Sequence, residues 1–380
     1  MPAPPRPAVR RPARIVIAAG GTGGHIYPGL AVAEALRRRA PGTHVSFLGT
    51  PRGLERSIMP QAGFPLHLVD MVPFAGRAAA LLPAALVRST IQARRILRRE
   101  AADVALSMGA YVGVPLIVAA RLAGVPALIH ESGAVPGRAN LWTARLAGNV
   151  ATAFAEAATT FPSSTTVRTV GMPLSAELDA FDRGELRAKA RAGYGVDDAT
   201  LFVLVNGGSQ GAASLNRLAI GLAERWHERH DVRILLKTGR RDHEQTAAAL
   251  QDTPGARLVE LTPFIERMDH AYAAADVSVC RPGAGTVAEL AVVGLPALLV
   301  PYPHAPFDHQ ARNASALVGA GAALMVRDHD ATAEVVAPLL ERILDDRTEL
   351  DRMRAGLAGL AHPHAADEMA GWVLDLVRAP

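Results

Sequence analysis

Two glycine-rich stretches contain the residues of this sequence that are most suited to chemistry. GGTGG spans residues 20–24 and GGSQG spans residues 207–211, and each lies between a short apolar run and a helix-like run. A strand followed by glycines and the start of a helix directs several backbone N–H groups toward one point, at the positive end of the helix dipole. Both stretches therefore predict an anion site, and phosphate is the anion that fits best.

Neither stretch matches the common nucleotide-binding motifs. A nucleotide-triphosphatase loop needs a lysine after its last glycine, and the sequence contains no Gly-Lys pair. The dinucleotide fingerprint fails because Ile26 stands where the third glycine is required. A tight turn without a ligand is the alternative to a phosphate site, and two such stretches in corresponding places favour phosphate.

The elements that must position these stretches alternate between strand-like and helix-like runs. RIVIA, GGTGGH and PGLAVAEALRRRA follow one another at the start, and the same order returns after residue 200. Such alternation indicates parallel sheets covered by helices on both faces. We therefore expect an α/β fold of two Rossmann-like, doubly wound domains that face each other across a cleft. The expected parts are a flexible basic tail (1–13), a first domain (14–172), a second domain (173–362) and a last helix that crosses back to the first domain (363–380).

Composition excludes several classes of protein. The 380 residues are 49% hydrophobic and 20% charged, as in a folded globular protein. The formal net charge is only +4 and no nucleic-acid-binding motif is present, so we expect no nucleic-acid partner. The single cysteine excludes an internal disulfide. The longest apolar run, residues 112–129, carries an arginine and two prolines, so we expect two buried strands joined by a short helix rather than a membrane span.

Several blocks, in order along the chain, resemble the MurG family of bacterial peptidoglycan glycosyltransferases. They are GGTGGHIYPGLAVAEAL, SMGAYVGVP, HES with Asn140 downstream, NGGSQGAASLN, FIERM, AAADVSVCRPGAGTVAEL and VPYPHAPFDHQARNA. The resemblance implies a GT-B fold and an inverting, metal-independent transfer of N-acetylglucosamine from UDP-N-acetylglucosamine to the muramyl 4-hydroxyl of lipid I, which yields lipid II. It also implies no cofactor, contact with an anionic membrane surface, and peripheral attachment at the cytoplasmic face of the cell membrane.

The resemblance places the donor in the second domain. It implies that Glu289 accepts both ribose hydroxyls of UDP, a task that suits the two acceptor oxygens of a carboxylate. It implies that backbone groups of Phe264 and Ile265 read uracil and that His309 and Gln310 hold the sugar hydroxyls. Arg281 is a candidate for contact with the diphosphate, with an ordinary surface arginine as the alternative. The other implied donor residues are Gly208, Ser209, Gln210, Gly211, Asn216, Ala284, Gly285 and Thr286.

The first domain is then expected to bind the acceptor. An inverting transfer needs a base near the attacking hydroxyl. His25 is the first candidate for this base, or for contact with the acceptor diphosphate, because imidazole changes protonation near neutral pH. Glu131 competes with it for the role of base. The residues expected to contact the acceptor or its diphosphate are Thr22, Gly23, Gly24, Tyr111 and Asn140.

Two positions depart from the family pattern in the expected cleft. Gly133 stands where the family has an asparagine, and Ser175 stands where it has an arginine expected to help bind the donor. These changes keep two alternatives open. One is a related enzyme that glycosylates another polyprenyl phosphate or a secondary metabolite, and the other is a UDP-sugar-binding protein without catalytic activity.

Two further segments carry expectations about membranes and metals. Residues 71–100 mix leucines such as Leu81 and Leu82 with arginines, which suits an anionic bilayer surface, although an ordinary amphipathic helix explains residues 90–99 equally well. The string Asp328-His329-Asp330 resembles a metal motif of another glycosyltransferase architecture. We expect Asp330 to cap the following helix instead, and we expect no metal site.

Overall fold

The structure is a computed structural model that describes residues 11–72, 82–208 and 210–378. The first ten residues of the predicted tail, residues 73–81 of the predicted membrane segment, and Ser209 lie outside these ranges. The described strands are β1 (Arg14–Ala18), β2 (His44–Gly49), β3 (Leu66–Leu68), β4 (Val104–Ser107), β5 (Ala127–Glu131), β6 (Asn149–Thr152), β7 (Thr166–Thr169), β8 (Leu201–Asn206), β9 (Val232–Lys237), β10 (Val259–Thr262), β11 (Val277–Cys280), β12 (Ala297–Leu299) and β13 (Ala323–Met325). The described helices are α1 (Gly23–Arg39), α2 (Glu55–Gln61), α3 (Leu82–Arg99), α4 (Ala110–Ala123), α5 (Arg138–Ala147), α6 (Ala155–Ala158), α7 (Ala176–Asp179), α8 (Arg183–Gly193), α9 (Ala213–Arg225), α10 (His243–Gln251), α11 (Met268–Ala274), α12 (Ala284–Val293), α13 (His309–Gly319), α14 (Ala333–Asp345), α15 (Arg347–Ala358) and α16 (Ala365–Arg378).

The strands form two parallel sheets. The first has the order β3-β2-β1-β4-β5-β6-β7, and the second has the order β10-β9-β8-β11-β12-β13. In each sheet the order of strands reverses beside the first strand, which creates a crevice at the carboxyl ends of β1 and β4 and another at those of β8 and β11. The prediction of an α/β fold with two doubly wound domains is confirmed.

Helices cover both faces of each sheet. One face of the first sheet packs with α1 and α16, and the other packs with α3, α4 and α5. In the second sheet, α8, α11 and α12 cover one face, while α9 and α14 cover the other. The central strands are buried throughout, with β4 and β11 inaccessible along their whole length, as expected for strands with two covered faces. The carboxyl ends of these strands are the places left open for ligands.

The apolar run at residues 112–129 folds differently from its prediction. Residues up to Ala123 belong to α4, and only the last part of the run forms a strand, β5. The expectation of two strands joined by a short helix is therefore wrong. Since α4 packs between the first sheet and the neighbouring α3 and α5, it is apolar on nearly all sides, and its sequence looks like that of a buried strand. Within the described ranges, no helix is both long and apolar enough to cross a bilayer.

The link between the two sheets contacts the end of the chain. Gly171 has a φ of +86°, and a Cβ atom built on it would lie 2.3 Å from Cβ of His362, so the link needs glycine at this point. The backbone N–H of His364 donates to Oδ1 of Asp179 at 2.7 Å. The last helix, α16, then packs against α1. The chain end thus spans the link and the helix layer of the first sheet.

Candidate active site

The GGTGG loop at the end of β1 is shaped by a buried carboxylate, that of Glu55. Its Oε2 accepts the N–H of Gly21 at 3.0 Å, and its Oε1 accepts the N–H of Thr50 at 2.8 Å. Cβ atoms built on Gly20 and Gly49 would lie 2.7 Å and 2.6 Å from the Glu55 side chain. The loop therefore lacks side chains partly because its backbone must approach this carboxylate. This role of Glu55 could not be predicted from the sequence, since a glutamate at the start of a helix ordinarily only complements the helix dipole.

His25 lies in the first turn of α1, and its ring meets the start of α4. Its Nδ1 is 3.4 Å from Oγ1 of Thr22. A Cβ atom built on Gly109, whose φ is +93°, would lie 3.2 Å from Cδ2 of His25 and 3.5 Å from Nδ2 of Asn140. Burial lowers the pKa of His25 to about 4, so the imidazole is neutral at pH 7 and able to accept a proton. An anionic diphosphate beside the ring would raise this pKa again.

The other residues predicted to contact the acceptor surround His25 in different ways. Thr22 and Gly24 are exposed at the open edge of the loop. Tyr111 lies beside them, since a Cβ atom built on Gly21 would be 3.9 Å from its ring. Gly23 is buried in the first turn of α1. The structure therefore brings Thr22, Gly24 and Tyr111 to one edge of the first sheet.

Glu131 has both carboxylate oxygens occupied. Oε1 accepts the N–H of Gly133 at 2.9 Å, while Oε2 accepts the N–H of Gly137 at 2.9 Å and Nδ2 of Asn140 at 2.8 Å. Burial raises the pKa of Glu131, and these hydrogen bonds oppose the shift. To act as a base the carboxylate would have to give up bonds that hold the 132–137 loop. The geometry favours Glu131 as a positioning residue and leaves His25 as the better candidate base.

The two departures from the family pattern occupy different surroundings. A Cβ atom built on Gly133 would lie 3.1 Å from the carbonyl oxygen of Val135, so an asparagine here would require the loop to shift. Ser175 is exposed immediately before α7, the short helix that packs against α12. The residue type at position 133 therefore affects the conformation of its loop. Ser175 lies at the surface, where its short side chain fills less space than an arginine would.

Asn313 joins the loops of the two domains. Its Oδ1 accepts the N–H of Ala134 at 3.1 Å, and its Nδ2 donates to the carbonyl of Pro282 at 3.4 Å. Ala134 lies in the loop held by Glu131, and Pro282 lies just before α12. The side chain is buried, with 1% of its surface exposed. This role of Asn313 could not be predicted from the sequence, because a contact between domains leaves no local pattern.

The GGSQG loop follows β8 and folds against the end of β9. Gly208 and Gly211 have φ values of +86° and +76°. A Cβ atom on Gly211 would lie 2.1 Å from the carbonyl oxygen of Thr238, so that position requires glycine. Oδ1 of Asn206 accepts the N–H of Gly208 at 2.9 Å, and Gln210 is exposed.

Glu289 lies on α12, at the second crevice. The hydroxyl of Tyr272 donates to its Oε2 at 2.6 Å, and a Cβ atom built on Gly285 would lie 3.9 Å from its Oε1. Burial raises the pKa of Glu289, while the Tyr272 hydroxyl and the charge of Lys237 lower it. Residues 284–286 form the partly exposed first turn of α12, whose N–H groups have no partners within the helix. Carboxylate and amides thus present acceptors and donors to the same crevice.

Phe264 and Ile265 follow β10 at the same edge of the sheet. The Phe264 ring is 44% exposed, and its carbonyl accepts the hydroxyl of Thr262 at 2.6 Å. The Ile265 side chain is buried, and within the described part of the chain its backbone N–H and carbonyl have no hydrogen-bond partner. These two backbone groups are therefore available to a ligand.

His309 and Gln310 begin α13 after a strained turn. Phe307 and Asp308 have φ values of +55° and +53°, in the left-handed region that costs an ordinary residue about 1–2 kcal/mol. Strain of this kind is retained where the surrounding structure requires it, often at a functional site. Oε1 of Gln310 accepts the N–H of Tyr302 at 2.8 Å, which fixes the amide and leaves its NH2 group for other contacts.

Arg281 points into the second domain rather than into the cleft. Its guanidinium donates to the carbonyl of Val300 at 2.9 Å and to Oγ of Ser214 at 2.8 Å, and it pairs with Oδ1 of Asp328 at 2.6 Å. Its donors are thus engaged within the protein, and we leave it out of the proposed donor site. Asp328, the first residue of the Asp-x-Asp string, is the half-buried partner of a structural arginine.

Two other expectations are corrected by local contacts. Asn216 is buried, and its Nδ2 donates to the carbonyl of Thr238 at 3.2 Å and to Oγ1 of Thr246 at 3.3 Å. It supports the GGSQG loop from behind and is not placed to touch a donor. Thr332 occupies the N-cap position of α14, so the prediction that Asp330 caps this helix is wrong.

Comparisons with known proteins agree with this architecture. The N-terminal domain of glycosyltransferase family 28 matches residues 15–152, and the C-terminal domain of that family matches residues 202–369. A UDP-N-acetylglucosamine–N-acetylmuramyl-(pentapeptide) pyrophosphoryl-undecaprenol N-acetylglucosamine transferase from Mycolicibacterium vanbaalenii is 40% identical over 96% of this chain and 90% of its own. The crystal structure of Acinetobacter baumannii MurG has a TM-score of 0.77 at 32% identity, covering 96% of this chain and all of that one. A Staphylococcus aureus MnaA–UDP structure, at 14% identity and a TM-score of 0.68, shares the fold.

Two parallel sheets with a glycine-rich loop at the switch point of each, in a chain matched by both family 28 domains, define a GT-B glycosyltransferase. The identity to curated relatives extends over nearly the whole chain, including both crevices. The chain belongs to the MurG family.

The contact between Glu55 and the first glycine loop predicts different effects of alanine at two neighbouring glycines. Gly20→Ala forces a Cβ atom against a hydrogen-bonded carboxylate, so the free energy of unfolding should fall by about 1–3 kcal/mol. Gly24→Ala is the matched control. Its Cβ would meet only Oγ1 of Thr22 at 3.8 Å, in a helical position where alanine is favoured over glycine by about 0.5–1 kcal/mol.

Urea denaturation followed by circular dichroism measures both variants. Equal stability of Gly20→Ala and Gly24→Ala would contradict the packing of the loop on Glu55.

Proposed function

We propose that the protein transfers N-acetylglucosamine from UDP-N-acetylglucosamine to lipid I and so forms lipid II for peptidoglycan. Its curated relatives are named for this reaction and share 36–40% of its residues over nearly its whole length. The observation that carries the proposal is a glycine-rich loop between a strand end and a helix start in each of two domains, which are joined through Asn313. Both substrates carry a diphosphate, and each loop suits one of them. In this proposal residues 14–172 bind the acceptor and residues 173–362 bind the donor.

On the donor side, each part of UDP-N-acetylglucosamine has a matching group. Glu289 accepts the ribose hydroxyls, and the free backbone groups of Ile265 read the uracil edge. The diphosphate lies between the loop at 207–211 and the first turn of α12, where N–H groups and the helix dipole stabilise negative charge. Gln310 and His309, at the start of α13, hold the sugar.

On the acceptor side, His25 accepts the proton of the attacking hydroxyl. The acceptor oxygen forms a bond to the anomeric carbon while the bond from that carbon to the β-phosphate oxygen breaks, and UDP leaves as an anion. Attack from the face opposite the leaving group inverts the anomeric centre. The exposed edge of GGTGG, with Thr22 and Gly24, is placed to receive the acceptor diphosphate. Asn140 and Gly109 keep the imidazole in position.

The proposed reaction needs no metal because backbone dipoles can stabilise the leaving diphosphate. Among the described residues, three ligand-type side chains come within 4.8 Å of one another only at Asp179, His364 and Asp367. These residues lie at the link between the sheets and not beside the glycine loops.

A related transferase with a different acceptor or donor is the second candidate. It is favoured by Gly133, which replaces a family asparagine in the acceptor loop, and by Ser175, which replaces a family arginine. A UDP-sugar-binding protein without activity is a third reading, and the presence of His25, Glu131, Glu289 and Gln310 together weighs against it.

The transfer assay uses labelled UDP-N-acetylglucosamine, a lipid I analogue and excess EDTA. We expect the disaccharide product to form in the presence of the chelator. His25→Ala should lower turnover about a hundredfold, the usual contribution of a general base, with little change in affinity for UDP. His227→Ala, which removes an exposed histidine of the second domain, is the matched control and should keep full activity.

The outcomes separate the candidates. Binding of UDP-N-acetylglucosamine without transfer to lipid I would contradict lipid II synthesis and support one of the other two readings. Near-normal turnover of His25→Ala would remove His25 from the mechanism.

The proposed membrane face lies on the helix layer α3–α4–α5. On α5, Arg138, Leu141, Trp142 and Arg145 share one face at helical spacing, and Trp142 is 57% exposed. On α3, Val87 and Ile91 are also exposed among arginines. Apolar side chains between arginines suit an anionic bilayer surface, and a lipid acceptor requires such contact. We propose peripheral attachment at the cytoplasmic face through this layer.

Vesicles that contain phosphatidylglycerol test this face. Leu141→Glu with Trp142→Glu should lower vesicle binding at least about tenfold, because it removes apolar burial and adds charges repelled by the lipid. Val335→Glu changes an exposed apolar residue of the second domain and should bind like the wild type. Equal binding of all three proteins would contradict the proposed face.

A further inference from the structure

Lys237 stands at the carboxyl edge of the second sheet, between the ends of β8 and β10. It is the last residue of β9, and the strand register pairs it with Asn206 of β8 and Thr262 of β10. Asn206 directly precedes the GGSQG loop, and the Thr262 hydroxyl donates a hydrogen bond to the carbonyl of Phe264. The lysine therefore lies between the loop proposed for the diphosphate and the segment proposed for uracil.

The side chain of Lys237 lies on the face of the second sheet that α11 and α12 cover, and Glu289 is on α12. Since side chains alternate along a strand, Lys237 lies on the same face as Leu235, which packs with Tyr272 and Leu290 of α11 and α12. Its Nζ is 5.5 Å from the centre of the Phe264 ring. Burial lowers the pKa of Lys237, and the charge of Glu289 opposes that shift. The ammonium and the carboxylate thus face the same part of the crevice.

The ammonium has no acceptor of its own. Lys237 is 93% buried, since 7% of its surface is exposed. Within the described ranges no hydrogen bond or ion pair involves its Nζ, and Nζ is not among the fully enclosed unpaired polar atoms, so the ammonium is open to the crevice. Arg281, directly after β11 in the same sheet, shows the usual arrangement for a buried cation, with carbonyl, hydroxyl and carboxylate partners. A buried cation without an acceptor is costly unless a ligand supplies one.

We propose that Lys237 is a second ribose-binding residue, which donates a hydrogen bond to an oxygen of the same diol whose protons Glu289 accepts. This inference rests on the proposed binding of UDP. A carboxylate can only accept, so a diol bound to it keeps lone pairs that require a donor. Tyr272 occupies Oε2 of Glu289, and Lys237 is the cationic donor beside it. Together, the carboxylate accepts hydrogen bonds from the two hydroxyls and the ammonium donates one to a hydroxyl oxygen.

Calorimetry with UDP and 2′,3′-dideoxy-UDP tests this contact. For Lys237→Met we expect the affinity for UDP to fall about tenfold, the effect of one hydrogen bond to a charged group, while the affinity for dideoxy-UDP stays within about twofold. The ratio of the affinity for UDP to the affinity for dideoxy-UDP should therefore fall about tenfold. Lys237→Arg keeps a charged donor and should retain most of the preference. The matched control is Lys189→Met, which changes the other lysine of the sequence, an exposed residue. This variant should bind both nucleotides like the wild type.

The stability of Lys237→Met separates binding from folding. Because the substitution removes a buried unpaired charge, we expect its melting temperature to equal or exceed that of the wild type. An equal loss of affinity for both nucleotides, or no loss for UDP, would overturn the assignment to the ribose. If the wild-type protein bound neither nucleotide, the proposed function itself would fail, and this inference with it.

Discussion

The carboxylate of Glu131 holds the two halves of the active site in one arrangement. It binds two amides of the 132–137 loop and the side chain of Asn140. The loop reaches the second domain through Ala134 and Asn313, and Asn140 lies beside His25 above Gly109. One buried group thus connects the proposed base to the helix that carries Glu289. Removing such a group leaves several buried donors without partners, which costs more than one lost hydrogen bond.

The two crevices share the same physical features, although they suit different substrates. Each loop leaves the end of a strand at a switch point and ends at a helix start, so both offer N–H groups and a positive helix dipole. They differ in their supports, because Glu55 binds the backbone of the first loop, whereas the end of β9 packs behind the second. Only the first loop is followed by a histidine. This difference suits an acceptor that must lose a proton and a donor that must lose a diphosphate.

The fold and the two loops could be predicted from the sequence because both depend on local order. Alternating strands and helices and the two glycine stretches are visible along the chain, as is the family resemblance around His25 and Glu289. Contacts between distant residues could not be predicted in this way. Glu55, Asn313 and Lys237 owe their roles to residues that are far away in sequence. The contacts of Arg281 could not be predicted for the same reason, since only the folded chain shows that its guanidinium pairs with Asp328 and donates to Ser214. The secondary structure of the apolar run at residues 112–129 was predicted wrongly because buried helices and buried strands have similar composition.

The coupling between Glu131 and Asn313 tests the account most directly. Turnover is measured for Glu131→Gln, for Asn313→Ala and for the double variant. Both changes act on the same loop, so each should lower turnover about ten- to a hundredfold with little effect on UDP affinity, and the double variant should be no slower than the slower single one. A double variant whose loss equals the product of the two single losses would contradict the account, because the two residues would then act independently.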